Sequence, residues 1–371
     1  MTMEKLQLKE LVDIYLGVTH TPKYVYAGVP FLSVKDISGG QINFDNCKYI
    51  SEEEYNSLSQ GAKPQVGDML FCRVGTIGKP IIIPKGTPRF GSFVSLGYLR
   101  NKDNSRCRMD YLKHWMNSKS FYDQVQSNVK GASQVNLNTG WLSKFEVRLP
   151  DYREQSDIVA TLDLCERIIN NRNLELQKLD NLIKARFVEM FVGKNYPLIT
   201  VDELSNGKGE YGAQSASVEY DPTRPRYVRI TDINDDGSLN DDYVSSSDVR
   251  DDEQYKLNYG DFLFARMGAT VGKTYAYKCG NQIYAGYLIR YKLNLKKVVP
   301  EYLYVYTQLD EYWNWVKLNQ SGAAQPGINA KKFGSLQVPI APLFEQQVFQ
   351  SFVKQVDKSK FSVMKGNALF M

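Results

Sequence analysis

One stretch of this sequence occurs twice, about half a chain apart. Residues 66–79 have the sequence VGDMLFCRVGTIGK, and residues 259–273 have the sequence YGDFLFARMGATVGK. This separation is much larger than the period of a solenoid or a propeller. A chain with two similar domains is suited to binding two similar targets at once, so the duplication limits both the fold and the function.

The similarity continues in the same order through both halves. The further matched segments are Ser33–Ile37 with Arg229–Ile233, Gly97–Arg100 with Gly286–Arg290, Asp110–Leu112 with Glu301–Leu303, Gly131–Asn138 with Gly322–Asn329, and Glu154-Gln155 with Glu345-Gln346. Any one of these matches could reflect ordinary turn chemistry. Six matches in one order indicate a duplicated unit.

Composition restricts the class of protein. A length of 371 residues allows two or three domains, and 25 Tyr with 17 Phe indicate a folded chain. The five cysteines are scattered and odd in number, which predicts reduced thiols in a cytoplasmic protein. The sequence shows no apolar run of membrane-spanning length and no signal peptide, so we expect no membrane association.

Charge is distributed unevenly between the halves. Residues 1–150 carry 19 basic and 13 acidic residues, which favours binding to a polyanion. Residues 192–344 carry 17 basic and 18 acidic residues, including an acidic stretch at 232–253. Charge therefore predicts nucleic-acid binding more clearly for the first half than for the second.

The residue pattern predicts an α+β unit with a mixed or mostly antiparallel sheet in each half. Runs rich in β-branched and aromatic residues, separated by Gly, Pro and Asn, indicate strands. The predicted strands are Phe31–Val34, Met69–Arg73, Ile81–Ile83, Ser92–Leu99, Tyr227–Ile230, Asp261–Ala265, Thr274–Tyr277 and Tyr284–Leu293. The predicted helices are Leu6–Leu16, Ile199–Leu204, Asp110–Val129 and Pro300–Leu318.

Residues 151–191 contain no Gly or Pro and predict one long helix. Apolar residues alternate at spacings of four and three, which is typical of a coiled-coil seam. The seam residues are Ile158, Leu162, Cys165, Ile169, Leu176, Leu179, Ile183 and Met190, with Arg172 and Arg186 at the two polar positions. The tail resumes the pattern at Phe349, Phe352, Val356 and Val363. We expect the two helices to form an antiparallel coiled coil. Because the tail helix is the shorter of the two, part of the seam on the long helix would remain uncovered. That part would bind another protein or pack on a globular half.

The glycine-rich turn at 268–273 is similar to a P-loop but differs from it in spacing. The motif needs four residues between its glycines; three separate Gly268 from Gly272, and two separate Gly75 from Gly78. An apolar run follows the turn where a P-loop has a helix. We therefore predict a strand–turn–strand with Gly at positive φ. The two histidines, His20 and His114, occupy unmatched positions and provide no repeated catalytic or metal site.

These parts together resemble the specificity subunit of type I restriction–modification systems. The resemblance rests on the Gly-Asp-x-Leu-Phe-x-Arg-x-Gly segments at 67–75 and 260–268, on the segments at 131–138 and 322–329, and on the Glu-Gln helix starts, and it covers essentially the whole chain. It implies four segments: recognition domains at 1–150 and 193–343, and helical spacers at 151–192 and 344–371. The C-terminal spacer is short for this family.

The resemblance implies a non-catalytic subunit that binds double-stranded DNA. Each recognition domain would read one half of a split, asymmetric site, and the helices would set the gap and dock the methyltransferase subunits, two of them by analogy. A motor–nuclease subunit would complete the complex. S-adenosylmethionine, ATP and Mg²⁺ would belong to those partners, and this chain would hold no cofactor or metal.

The duplication separates two kinds of candidate DNA contact. If the half-sites differ, residues shared by both copies serve the fold or the DNA backbone, and divergent residues read bases. The shared candidates are Arg73, Thr76, Lys79, Arg266, Thr270 and Lys273; salt bridges of Arg73 to Asp68 and of Arg266 to Asp261 are the structural alternative. We assign Gln134 and Gln325 a structural role. The remaining candidates are Lys23, Lys35, Arg89, Lys208, Tyr211, Gln214, Arg226 and Arg229, with solvated polar loops as the alternative.

Two other classes of function remain open on sequence alone. One is a DNA-processing enzyme with a degenerate P-loop, and the other is a two-domain coiled-coil scaffold that binds no DNA.

The first prediction concerns the loop after the start of the second repeat. Replacing residues 206–226 should change recognition of one half-site only, because each half of the duplication forms its own domain. Motif determination by methylome sequencing measures this, and altered recognition of both half-sites would show that the domains do not read independently.

Overall fold

The computed structural model describes residues 4–102, 106–128, 136–249, 252–321 and 326–367. The chain divides into two compact units, residues 1–168 and residues 169–371. The boundary falls inside one long helix, Tyr152–Phe191, which we call the central helix. Each unit therefore contains one half of the duplication and part of that helix. The segments at 131–134 and 322–325, with Gln134 and Gln325, lie outside the described residues.

The first unit is an α+β domain. Its strands are Glu4–Gln7, Val12–Leu16, Tyr24–Val25, Val29–Leu32, Lys48–Ile50, Met69–Cys72, Gly78–Ile82, Gly91–Ser92, Leu96–Asn101 and Glu146–Leu149. Its helices before the central helix are Leu8–Leu11, Glu52–Ser57, Met109–Met116, Lys119–Asn128 and Thr139–Leu142, with 3-10 turns at Val34–Asp36 and Gln60–Ala62.

The second unit repeats this plan. Its strands are Leu198–Thr200, Glu210–Tyr211, Ser217–Val218, Arg226–Val228, Ser246–Ser247, Asp261–Ala265, Thr274–Ala276, Gln282–Tyr284, Leu288–Lys292 and Gln337–Pro339. Its helices are Pro300–Tyr306, Asp310–Asn319, Ala330–Gly334 and Leu343–Asn367, with 3-10 turns at Ile230–Asp232, Glu253–Tyr255 and Gly268–Thr270. We call Leu343–Asn367 the C-terminal helix.

The same four-stranded antiparallel sheet forms the centre of each unit. In the first unit the strand order is 12–16, 96–101, 69–72, 78–82, and in the second it is 210–211, 288–292, 261–265, 274–276. Met69–Cys72 and Asp261–Ala265 are buried throughout, because each is an apolar strand with a neighbour on both sides. Parallel pairing of 31–32 with 91–92 and of 226–228 with 282–284 makes the architecture mixed. The predicted α+β class is confirmed.

Strand register corrects one part of the sequence alignment. Leu70 pairs with Tyr98, and its counterpart Leu263 pairs with Arg290. Tyr98 therefore corresponds to Arg290, whereas the string alignment matched it with Tyr287, so the predicted equivalence of Gly97–Arg100 with Gly286–Arg290 is wrong by three residues at this position. The short shared string matched by chance, whereas pairing register fixes which face every side chain takes.

The first predicted helix of each half is wrong. In place of a helix at 6–16, the chain forms a strand, the single helical turn Leu8–Leu11, and a second strand. Strand 4–7 pairs with 146–149, and strand 12–16 pairs with 96–101. In the second half, Leu198–Thr200 pairs with Gln337–Pro339 where a helix at 199–204 was predicted. Long-range pairing overrides the local helical pattern in both places.

Most other predicted elements are confirmed with shifted ends. Met69–Cys72 and Asp261–Ala265 agree with the predicted strands. The predicted helices at 110–129 and 300–318 are each two helices, which break near Asn117 and Thr307. The predicted strands at 92–99 and 284–293 are each interrupted, because residues 93–95 and 285–287 leave the sheet.

A buried glutamine attaches each long helix to its own domain. Gln155 accepts a hydrogen bond from Arg108 N–H (2.8 Å), and its Nε2 donates to the carbonyls of Arg106 and Pro150 (2.9 Å each). Gln346 repeats the arrangement. It accepts from Val299 N–H (2.9 Å) and donates to the carbonyls of Lys297 (3.1 Å) and Ala341 (2.8 Å). Both glutamines are completely buried. The glutamine of the shared Glu-Gln pair thus has a structural role.

The second half of the central helix packs antiparallel to the C-terminal helix. Phe187 and Phe191 contact Phe349 with ring centroids 5.4 and 5.6 Å apart. Further along, Asp180 forms an ion pair with Lys360. Residue numbers rise on one helix as they fall on the other, which confirms the predicted antiparallel pair over this stretch. The central helix has 40 residues and spans about 60 Å.

The second prediction tests the buried glutamine. Gln346→Leu should lower the free energy of unfolding of the second unit by about 3 kcal/mol, because three buried backbone groups lose their partner. Urea titration followed by segment-resolved hydrogen exchange separates the two units. The neighbouring exposed Gln347→Leu is the control and should change stability by less than about 0.5 kcal/mol. Equal effects of the two variants would contradict the assignment.

Candidate nucleic-acid interface

The repeated aspartate of the central strand stabilises the fold. Asp68 accepts a hydrogen bond from Gln65 N–H (2.7 Å) and pairs with Arg100 (2.7 Å). Asp261 accepts from Asn258 N–H (2.9 Å), and burial raises its pKa. Within the described residues, Arg73 and Arg266 form no ion pair with these aspartates. The salt-bridge alternative for the two arginines is therefore wrong.

Arg73 joins three segments of the first unit. Its Nε donates to Leu137 O, its Nη1 to Val94 O and its Nη2 to Asn136 Oδ1, each at 3.0 Å. The side chain is half-buried, and burial lowers the pKa of the guanidinium. These bonds use all three guanidinium nitrogens, so the shared arginine has a structural role in this copy.

Arg266 has the same backbone position but different side-chain contacts. Its N–H donates to Tyr287 O, and its carbonyl accepts from Ile328 N–H, as Arg73 does with Ser95 and Leu137. The guanidinium lies over the Tyr211 ring, 4.9 Å from the centroid. Among the described residues, Nε of Arg266 is buried without a hydrogen-bond partner.

The turns after the two arginines follow the predicted strand–turn–strand. Gly268 and Gly272 have φ of 74° and 90°, and a strand follows at Thr274–Ala276. A P-loop places its phosphate at a helix N-terminus, and here no helix follows. In the first unit, Gly78 (φ 85°) precedes Lys79, whose φ of 52° is unusual for a residue other than Gly.

The other candidates of the first unit lie on its surface. Lys23, Thr76 and Lys79 are exposed, and in the described part of the chain no hydrogen bond or ion pair engages their side chains. Lys35 Nζ donates to Asn46 O (3.3 Å). Arg89 pairs with Glu52 and lies 5.4 Å from the Tyr55 ring centroid.

Most of the basic candidates of the second unit are paired with the acidic stretch. Arg226 pairs with Asp241 (2.6 Å), Arg229 with Asp232 (2.8 Å) and Lys273 with Asp235 (2.7 Å). The hydrogen bond from Lys273 lowers the pKa of Asp235. Lys208 pairs with Asp202 (2.6 Å), and Thr270 Oγ1 donates to Met267 O (3.4 Å). These basic candidates are therefore largely neutralised by neighbouring carboxylates.

One group of candidates comes together, at the end of the central sheet of the second unit. The Tyr211 ring stacks on the guanidinium of Arg266, Gln214 follows three residues after Tyr211, and the backbone N–H of Arg266 bonds the carbonyl of Tyr287. We call Tyr211, Gln214, Arg266 and Tyr287 the Arg266 surface. Tyr211 and Tyr287 have exposed fractions of 42% and 55%, and Gln214 is also exposed.

Sequence reasoning missed Tyr287 because of the register error. The string alignment matched it with Tyr98, which is completely buried. Strand register instead makes it the counterpart of Ser95. The same register matches Tyr211 with Leu16, and the bridges Val18–Phe93 and Ala213–Ala285 agree with it. The Arg266 surface thus differs between the copies at almost every position.

A histidine–carboxylate cluster lies where the central helix meets the first domain. His114 Nε2 is 2.9 Å from Asp163 and its Nδ1 is 3.5 Å from Glu166, which also pairs with Lys113 (3.0 Å). Three such ligand atoms could hold a metal ion. Since both ring nitrogens and Lys113 already face the carboxylates, a helix–helix contact accounts for the cluster.

Comparison with known proteins agrees with this architecture. The family model "Type I restriction modification DNA specificity domain" matches twice, at residues 2–179 and 194–368. A putative type I restriction enzyme MjaX specificity subunit from Methanocaldococcus jannaschii is 20% identical over 388 residues, covering 95% of this chain and 86% of the relative.

Two solved structures share the fold. The S subunit of a type I restriction–modification system from M. genitalium has a TM-score of 0.54 at 13% identity and covers 99% of this chain and 92% of its own. A chain from a study of complex assembly and conformational transition of the type I R-M system has a TM-score of 0.52 at 14% identity, covering 100% and 95%.

Because the family model describes each half as a DNA specificity domain, the duplicated α+β repeat with its two long helices belongs to a non-catalytic DNA-recognition protein. This chain belongs to the specificity-subunit family of type I restriction–modification systems, since the family model matches both halves. In the described residues, no helix is long and apolar enough to cross a membrane.

The third prediction separates paired from exposed basic residues. Arg229→Ala should lower the free energy of unfolding of the second unit by about 2 kcal/mol, because Asp232, with an exposed fraction of 3%, loses its charge partner. Lys208→Ala is the control: its side chain is 85% exposed, and loss of its ion pair should cost less than about 1 kcal/mol. Urea unfolding of both variants measures the difference. Similar stabilities would show that the Arg229 pair is not structural.

Proposed function

We propose that each unit reads one half of a bipartite DNA site. The observation that carries the proposal is a shared scaffold with divergent surfaces. Asp68 and Asp261, like Gln155 and Gln346, make equivalent contacts in the two copies. The Arg266 surface has no counterpart of the same composition in the first unit. Two domains that share a fold but differ in their surface residues can each bind a different half of an asymmetric, split DNA site.

The two long helices set the spacing between the half-sites. Each helix is fixed to its own domain by a buried glutamine with three hydrogen bonds, and helix–helix packing between 180–191 and 349–360 stiffens the pair. Rigid attachment transmits the helix geometry to the domains, so the gap would change with helix length at about 1.5 Å per residue.

Apolar residues on the long helices provide the docking surface for the partner subunits. The exposed side chains include Leu174, Leu182 and Val188 on the central helix and Phe344 and Met364 on the C-terminal helix. Exposed apolar strips of this kind mark protein interfaces. The partners are methyltransferase subunits, which carry S-adenosylmethionine, and a motor–nuclease subunit, which carries ATP and Mg²⁺. The assembly acts in the cytoplasm, and this chain binds no cofactor.

The fourth prediction tests the bipartite reading. Methylome sequencing of cells that carry the intact system should reveal an adenine-methylated motif in two parts separated by a fixed gap. The motif should disappear when this chain is deleted and return when it is restored. A continuous motif would contradict two independent readers. Absence of DNA binding at any salt concentration would favour a protein scaffold.

The spacer can be tested independently of base reading. Inserting one heptad into the central helix between the two domains should keep both half-motifs and change only the gap, because the seam repeats every seven residues. Deleting the inserted residues restores the original gap. A change in either half-motif would show that the helices do more than set a distance.

A further inference from the structure

We infer that the repeated arginine serves different purposes in the two copies: Arg73 is a structural clamp, and Arg266 contacts hydrogen-bond acceptors of duplex DNA in the half-site read by the second unit. The inference rests on the proposed function and extends it to one residue. It changes the expectation that residues identical in both copies share one role.

The first observation is the loss of the clamp. The chain position that offers Asn136 Oδ1 to Arg73 is occupied by Gly327 in the second copy, as the bridges Val74–Asn136 and Met267–Gly327 show. A glycine has no side-chain acceptor. In the described residues the Arg266 guanidinium makes no hydrogen bond, whereas Arg73 makes three.

The second observation is the orientation of the unbonded guanidinium. Stacking on Tyr211 fixes its plane without using a donor, and Tyr211 Oη accepts a hydrogen bond from Ala330 N–H (3.3 Å), which ties the ring to the domain. A stacked arginine keeps its donors available in a planar fork that suits phosphate or guanine. The domain itself offers no acceptor to Nε, which is buried without a partner among the described residues.

The third observation is the local charge. The other basic candidates Arg226, Arg229 and Lys273 are paired with carboxylates, so they are partly neutralised. Arg266 has no ion pair within the described residues. Its guanidinium stacks on the exposed Tyr211 and its backbone N–H bonds the carbonyl of the exposed Tyr287, and the counterparts of these tyrosines are Leu16 and Ser95. A contact at this position would belong to the second half-site alone.

The test uses the full chain and a library of random-sequence duplex DNA. Wild type first selects its preferred duplexes, and Arg266→Gln is then measured on them by titration at several salt concentrations. We expect its affinity to fall about tenfold or more, which corresponds to 1.4 kcal/mol per factor of ten, with an unchanged Tm. Lys278→Gln removes the same charge at the opposite end of the same hairpin and should bind like wild type.

The selected sequences distinguish two kinds of acceptor. A base contact should leave the Arg266→Gln motif degenerate at one position of one half-site. A phosphate contact should keep the motif and weaken binding evenly, with a salt slope smaller by about 1. Either result supports the inference.

Two further variants test the difference between the copies. Arg73→Gln should lower the Tm of the first unit, because three hydrogen bonds are lost, and should leave the half-motif read by the second unit unchanged. Gly327→Asn restores the missing acceptor; its Cβ would lie 3.3 Å from Arg266 O, which would have to move by a few tenths of an ångström. This variant should weaken DNA binding without lowering the Tm, since it would lock Arg266 inside the protein.

The inference is overturned if Arg266→Gln binds the selected duplexes as tightly as wild type, or if it lowers the Tm as much as Arg73→Gln does. Failure of the proposed function looks different, because wild type itself would then select no motif. In that case both the function and the inference fail.

Discussion

The buried glutamine at the start of each long helix is the contact on which the architecture depends. Gln155 and Gln346 each bond three backbone groups that neither strands nor helices satisfy. Burying a backbone group without a partner would cost more than the hydrogen bond contributes. The side chain therefore fixes where the helix begins relative to the domain, and the helix becomes a rigid extension of it.

The two copies share residues that stabilise the fold and differ at surface residues that would contact different targets. The aspartates at 68 and 261 cap the same turn before the same buried strand. The matched arginines at 73 and 266 share backbone contacts but not side-chain contacts, and the side-chain acceptor at Asn136 has the glycine Gly327 as its counterpart. A difference in a partner residue can thus give an identical side chain different contacts in the two copies.

Some elements were predictable because their information is local. The strands at 69–72 and 261–265, the glycine turns that follow, and the long helix with its antiparallel partner all agree with the pattern. The helix predicted at 6–16 failed because both of its ends pair with strands far along the chain, at 146–149 and 96–101. The candidates Arg226, Arg229 and Lys273 looked available in sequence, and their carboxylate partners became evident only after folding.

By itself, the sequence determined that the protein has two related α+β domains and two long helices, because an ordered repeat and a heptad pattern are properties of residue order. Tertiary structure decided the register that relates the copies and which basic groups are paired. The physical reason is that cross-strand hydrogen bonds fix one register, whereas a short shared string such as Gly-Tyr-Leu can match three residues out of register, which would place every side chain on the opposite face. Only with that register does Tyr287 become the neighbour of Arg266 and the counterpart of Ser95.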